Sequence, residues 1–379
     1  MGTTRTLYNV LVQLGLLLGL AGLITYFAVN ASRNLEARSI ASGFSFLGNK
    51  ASFELGANLT GFRAGDTFAD AFIAGVVNTL AVSIASIVVA TLVGIVIGVV
   101  RLSRNPLAKS LAIGYVEVLR NIPLLLQMLF WYAIVTKTLP TPRQALNPME
   151  GVFLTNRGAY APLPDNATLI LGLVLLGIVW WGLSVLLKRY LGENTVTNSG
   201  WRKLYQARYI IYLIYGLGLL MVLIATASNV PELKGFNFRG GGYVPPECVA
   251  VFLALTIYTS AFIAENVRSG ILGVDKGQLE AAQAVGLKPS TTMAYIVFPQ
   301  ALRIIVPPVA SQYLNIVKNS SLAVAVGYAD IMRVATIVVS ETGRAIEAIA
   351  IIMGLYLLFS LIISLLMNLY NHRIMHKGG

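Results

Sequence analysis

Long apolar runs separated by shorter polar and basic connections mark this chain from end to end. A helix that crosses a bilayer needs about 20 mostly apolar residues. Eight segments qualify, at approximately 7–29, 72–100, 112–135, 168–187, 209–227, 248–267, 302–327 and 346–369, and each predicts a spanning helix. The first follows Arg5 as a secretory signal would. Its apolar run exceeds the usual roughly 7–15 residues and no small-x-small cleavage site follows, so it reads as an uncleaved anchor. The seventh is the least apolar, interrupted by Pro307, Pro308, Gln312, Asn315 and Lys318. Broken, polar helices persist in membranes where neighbouring helices or a water-filled cavity satisfy them, and that exception is the first pointer to function.

Composition agrees with the pattern. Hydrophobic residues make up 56% of the chain and charged residues 12%, with a mean hydropathy of +0.73. Soluble domains average roughly 45–50% apolar and about 25% charged. This chain cannot cover itself with polar surface, which predicts an all-α, polytopic membrane protein. The net charge of +12 would suit nucleic acid, but its basic residues sit between apolar spans, so topology explains them and no nucleic-acid partner is expected. A lone cysteine, Cys248, excludes an intrachain disulfide. His372 and His376 lack a third ligand in view and read as part of a basic tail, so no metal site is expected.

Eight spans put both termini on one side. The compact connections carry Arg101, Arg104 and Lys109, then Lys188, Arg189, Arg202, Lys203 and Arg208, then Arg268, Lys276, Lys288 and Arg303. Arginine and lysine concentrate on the cytoplasmic side, which places these loops and both termini there. The longest opposite loop, 136–167, holds Pro140, Pro142, Pro148, Pro162 and Pro164 and reads as irregular.

Residues 271–299 have a different build. Gly270 through Gly277 should break the helix leaving the sixth span, and Leu279 to Val285 can form a short helix with small residues on one side. Gly286 permits a turn, and Pro289 suits the first turn of a second helix. The expectation is a helix–turn–helix on the cytoplasmic surface, where Ala281 and Ala282 let another protein approach closely.

The tripeptide Glu280-Ala281-Ala282, with Gly286, Ile296 and Pro299, resembles the EAA loop of type-I ABC importer permeases. Its flanks, Tyr258, Glu265, Arg268, Gly270, Gly277-Gln278, Pro299-Gln300-Ala301, Lys318 and Ser321-Leu322, resemble the polar-amino-acid uptake branch. The run from Tyr115 to Gln127 resembles that branch's other signature, and with Asn78-Thr79-Leu80 the likeness covers most of residues 71–370. Two departures from the smallest members, a loop after the first span and two additional spans, resemble a permease subunit of general L-amino-acid transporters. The resemblance implies three parts: an anchor helix and periplasmic loop at 1–70, a type-1 permease domain at 71–370 with a two-span insert at about 136–247, and a cytoplasmic tail at 371–379.

The family's EAA loop is a coupling helix seated in a groove of the ATP-binding cassette subunit. Carried over, Glu280 makes a charged contact, Ala281 and Ala282 form the close-packed face, and Gly286 sets the turn. The resemblance further implies a paralogous second permease, a periplasmic amino-acid-binding protein, and residence in the bacterial inner membrane. No G-x-x-x-x-G-K-[ST] loop occurs in the sequence, so ATP and Mg are expected on the separate ATPase chain and no cofactor on this one. No Ser/His/Asp set is available either, so no catalytic residue is expected.

Polar residues inside the spans are the remaining clue. Ser311, Asn315 and Lys318 fall on one stripe, with Gln312 and Asn319 adjacent, while Glu117, Arg120 and Gln127 share roughly one face of the third span. A charge at mid-membrane costs about 2.5–3.5 kcal/mol on insertion scales, so such residues face a partner or a cavity. A zwitterionic amino acid needs the donors and acceptors these stripes supply. The structural alternative is pairing, of Glu117 with Arg120 or of Lys318 with a carboxylate, or snorkelling of Glu117 and Arg120 to the cytoplasmic end. Glu265 and Arg268 read as a local pair one turn apart. An ion- or proton-coupled secondary transporter also fits the hydropathy, but its usual inverted repeats are not evident. An intramembrane enzyme ranks last, for want of a nucleophile constellation.

Overall fold

The computed structural model describes residues 2–37, 43–56, 58–164, 177, 218 and 227–375. Apart from residues 177, 218 and 227, the expected spans at 168–187 and 209–227 lie outside the described residues. In chain order come helices α1 (Gly2–Ala37), α2 (Phe68–Val100), α3 (Pro106–Asn121) and α4 (Leu124–Thr138). Among the described residues eight short strands follow: β1 (Leu146–Met149), β2 (Val152–Thr155), β3 (Gly158–Ala161), β4 (Leu163–Pro164), β5 (Ala227–Asn229), β6 (Glu232–Lys234), β7 (Asn237–Arg239) and β8 (Gly242–Val244). Helices α5 (Pro246–Leu272), α6 (Lys276–Ala284) and α7 (Pro289–Thr292) come next. A π-helical stretch, Met293–Val297, runs into α8 (Phe298–Asn319), and α9 (Ile331–Thr342) and α10 (Ala345–Met375) complete the order.

Among the described residues, four helical stretches are long and apolar enough to cross a membrane: α2, α5, Pro289–Val326 and Ala345–Leu369. Within α1 the apolar stretch is Leu11–Phe27, and α3 with α4 reaches span length only as a broken pair. That break corrects the expectation of one continuous helix over 112–135. Pro123 has no N–H to donate and disfavours helical geometry in the residue before it; Ile122 accordingly stands extended at φ −93°, ψ 127°.

Two compact units make up the chain, Met1–Leu125 with Ala254–Gly379, and Leu126–Leu253. In the first, α2 lies against α9 and α10 packs on α8. Residues 43–56 and 58–66 fold back onto this bundle. Phe46, Ala51, Leu55 and Phe62 are buried with Phe68, Phe72, Val334 and Val338. The Gly43 N–H donates to Glu347 Oε1 (2.7 Å), and Ser52 Oγ donates to Glu341 Oε1 (2.6 Å). Asn78 and Thr79 on α2 fix the connection into α9: Asn78 Nδ2 donates to the Ala329 carbonyl (2.9 Å), and Thr79 Oγ1 accepts from the Ile331 N–H (3.2 Å). The cap of α9 is Asp330, whose side chain accepts from the Arg333 N–H at 2.8 Å. It is fully buried, and burial pushes its carboxyl up to about 7.

The second unit overturns the expectation of an irregular 136–167 loop. Strands β1-β2-β3-β8 form an antiparallel sheet in which Phe153 faces Tyr160 and Tyr160 faces Tyr243. Phe238 of β7 stacks on Phe153 with ring centroids 4.3 Å apart, and Tyr160 Oη donates to Asn237 Oδ1 at 2.8 Å. The prolines fit because Pro148 is in the edge strand β1 and Pro162 falls between β3 and β4, where no ladder N–H is required. Helix dominates the protein, and this small β layer is the addition.

Candidate functional site

Two places in the first unit gather the residues that the sequence singles out. The first is the α6–α7 segment. Asp275 caps α6, its side chain accepting from the Gly277 N–H at 2.6 Å. The helix closes in a Schellman arrangement: the Leu287 N–H reaches the Ala282 carbonyl (3.0 Å) and the Gly286 N–H the Gln283 carbonyl (2.9 Å). Gly286 takes the left-handed conformation this closure needs, φ 72°, and Pro289 opens α7.

Glu280 and Ala281 are exposed, whereas Ala282 is 2% exposed and turned into the chain's own body. Of the two alanines, only Ala281 is left on the open face. Gln300 Nε2 reaches Gln278 Oε1 at 3.4 Å, so the segment touches the start of α8. Upstream, Gly270 lies so close to α8 that an added Cβ would come within 2.3 Å of Ile305 Cγ1. The close approach of α5 and α8 therefore requires glycine there.

The second place is the open face of α8. Its packed side buries Ala301, Ile305, Val309, Ala310, Ile316 and Val317. Ser311, Asn315 and Lys318 project on the other side, all exposed, with Gln312 and Asn319 half-buried at its margins. The side chains of Ser311, Asn315 and Lys318 make no hydrogen bond or ion pair among the described residues, so Lys318 does not have the carboxylate that the pairing alternative required. Tyr313 Oη and Thr91 Oγ1, 2.9 Å apart, tie the margin of this face to α2. Pro307 and Pro308 lie inside the helix, one turn before Ser311. Gln127, by contrast, is buried on α4 in the second unit.

The local pair of Glu265 and Arg268 forms, with Arg268 Nη2 2.6 Å from Glu265 Oε1. Sequence reasoning missed its third member. Arg101, at the end of α2, also binds Glu265, and the cluster ties α2 to α5 across 164 positions of sequence. The other anticipated pair does not form: Glu117 and Arg120 are both exposed and are not joined, and Arg120 lies over the ring of Phe262 with its Cζ 5.0 Å from the centroid. No group of three or more His, Cys, Asp or Glu comes together among the described residues.

The family model for binding-protein-dependent transport system inner membrane components matches residues 220–376. A putative amino-acid ABC transporter permease of Escherichia coli is 45% identical over 368 residues, covering 96% of this chain and 93% of that one. The general L-amino acid transport system permease of Rhizobium johnstonii is 42% identical, over 93% of this chain and 88% of its own. A glutamate/glutamine/aspartate/asparagine transport system permease of Rhodobacter capsulatus is 39% identical, over 96% and 92%. A crystal structure of an amino acid ABC transporter with histidines superposes at a TM-score of 0.49 and 22% identity, covering 81% of this chain and 95% of that one. With near-full-length likeness to several such proteins, the chain belongs to the amino-acid ABC transporter permeases, the multi-pass inner-membrane components of binding-protein-dependent transport systems.

Proposed function

We propose that this chain is one of two membrane-spanning halves of an ATP-driven amino-acid importer, with both termini in the cytoplasm. The open face of α8 lines one side of the translocation pathway, and a second, paralogous permease supplies the other. A periplasmic amino-acid-binding protein delivers the substrate. ATP and Mg bind to a separate ATP-binding cassette subunit, and this chain carries no cofactor of its own. Import against a gradient needs an energy source, and the sequence contains no phosphate-binding loop, so force must enter through a protein–protein contact.

The observation that carries this reading is the build of residues 275–289. A capped helix presents exposed Glu280 and the small Ala281 beside a turn that Gly286 holds in the left-handed region. Its fixed shape and open face suit docking into a groove, with Glu280 meeting an arginine or lysine of the ATPase. Pull-down of the co-expressed ATPase tests it. Truncating one partner of a desolvated charge pair costs about 2–5 kcal/mol, so Glu280→Arg should release most of the ATPase and a charge-reversed ATPase partner should restore it. Gly286→Val should abolish coupling by forbidding the turn, with membrane insertion unaffected. Full ATPase retention and normal uptake in both variants would place coupling elsewhere.

A further inference from the structure

Glu117 and Arg120 lie on α3 three positions apart, a spacing that puts their Cβ atoms about 5–6 Å from each other. Opposite charges so placed in a bilayer would ordinarily neutralise one another, because an uncompensated charge there is costly. Here they do not. The Arg120 guanidinium lies over the Phe262 ring, and Phe262 in turn packs against Tyr258 with ring centroids 4.9 Å apart. The Phe262 ring face, backed by Tyr258, holds the cation to one side and leaves the guanidinium edge and its donors open. The Glu117 carboxylate makes no hydrogen bond or ion pair among the described residues.

The scaffold beneath is rigid. Val116 is fully buried against Ala261 and Ala264, and Tyr115 Oη lies 2.7 Å from Ser260 Oγ. Phe262 is about 24 Å along α5 from Pro246 and about 15 Å from Leu272, counting 1.5 Å per residue, so the pair stands within the spanning part. One turn of α5 separates it from Glu265, which Arg101 and Arg268 already satisfy. Glu117 and Arg120 thus form an open anion–cation pair: they are not bonded to each other, and apart from the Phe262 ring under Arg120 neither charged group has a partner among the described residues.

We propose that Glu117 and Arg120 together bind the zwitterionic head of an α-amino acid, Arg120 taking the carboxylate in a forked pair of hydrogen bonds and Glu117 the ammonium. The assignment rests on the reading of this chain as an amino-acid permease and adds its recognition element. A head-group site is indifferent to the side chain, so it admits a broad range of amino acids while excluding molecules that lack either charged end.

Equilibrium binding of L-glutamine to the purified permease complex, without the binding protein, is the test. Two probes accompany it: 4-aminobutanamide, which is glutamine without its carboxylate, and glutaramic acid, which lacks the ammonium. Wild type should prefer glutamine to both by at least tenfold. Arg120→Met should erase the preference over 4-aminobutanamide and leave that over glutaramic acid, and Glu117→Gln should do the reverse. Arg120→Lys should retain part of the first preference. Phe262→Leu, which frees the guanidinium to pair with Glu117, should weaken glutamine binding without changing either residue. A merely structural role would scale all three ligands alike, and snorkelling would leave every variant at wild-type binding. Either outcome overturns the assignment. If the wild-type complex bound none of the twenty amino acids, the importer reading would fall and this site with it. Loss of coupling in Glu280→Arg is read separately, by ATPase pull-down.

Discussion

Helices α8 and α10 pack against each other, yet their open faces are opposites. Along α10 the exposed positions include Ile349, Met353, Leu357, Leu361 and Leu365, all apolar. Along α8 they include Ser311, Asn315 and Lys318. Both faces are open in the isolated chain, but hydrocarbon suits only the first. The Lys318 ammonium and the Asn315 amide need water, substrate or another polypeptide. Exposure in a membrane protein therefore has to be interpreted with residue chemistry, and the pair of helices separates an apolar open face from a polar one within one bundle.

Exchanging the two chemistries should break the contrast in opposite ways. Leu357→Asp places a carboxylate at the middle of α10, which costs about 2.5–3.5 kcal/mol on insertion scales. The amount of chain recovered from the membrane should fall severalfold, while uptake per inserted molecule stays normal. Equal recovery would mean that this face is not in lipid. Lys318→Met on α8 should do the converse, inserting normally but losing transport. A hydrogen bond to a charged group is worth about 1.5–3 kcal/mol, so labelled amino-acid uptake should drop by roughly tenfold or more. Asn315→Leu should follow with a smaller loss. Wild-type uptake in both would make α8 a second lipid face.

A smaller effect sharpens the boundary where α8 gives way to α9. Asp330 is buried, and its carboxyl is raised to about 7 from the usual 3.8. The folded protein therefore holds this proton more tightly than the unfolded chain does. Its stabilisation is complete below about pH 4 and is lost as pH rises through 7. Between pH 6 and 8 the loss should amount to about 1 kcal/mol, seen as a falling thermal midpoint. Asp330→Asn keeps a capping oxygen without the ionisation and should flatten that slope. Parallel slopes in the two proteins would assign the pH dependence to other groups.

Much of this plan was legible in advance, for reasons that differ from residue to residue. Span length is a composition property, so α2, α5 and α10 could be read directly from their apolar runs. Gly286 and Pro289 carry their conformations in their covalent structure, and the α6–α7 turn follows from them. Pro123 carried the same kind of information, but the surrounding apolar run masked the break it imposes. The sheet around Tyr160 escaped notice because strands of three or four residues, interleaved with prolines, leave little alternation to detect. Pairings distant in sequence were out of reach altogether. Nothing local to Arg101 points to Glu265, nothing in the Glu-Ala-Ala tripeptide says which alanine turns inward, and nothing beside Arg120 announces the ring of Phe262 in place of Glu117.

The π-helical stretch between α7 and α8 bears on how motion could pass from one end of this protein to the other. Over Met293–Val297 the backbone takes the wider turn, with the Phe298 N–H reaching the Met293 carbonyl five residues back. Such a stretch is a helix with slack wound into it. It separates the Gly286 turn from the Ser311–Lys318 stripe, like a loose coupling on a shaft. Taking up one residue of slack would rotate everything downstream by about 100° and shift it by about 1.5 Å along the axis, from the pitch of an α-helix alone. A push at the α6–α7 segment need not travel as a rigid translation. It can arrive as a twist, turning Lys318 and Asn315 to another side of the bundle while the apolar flank of the same helix takes their place.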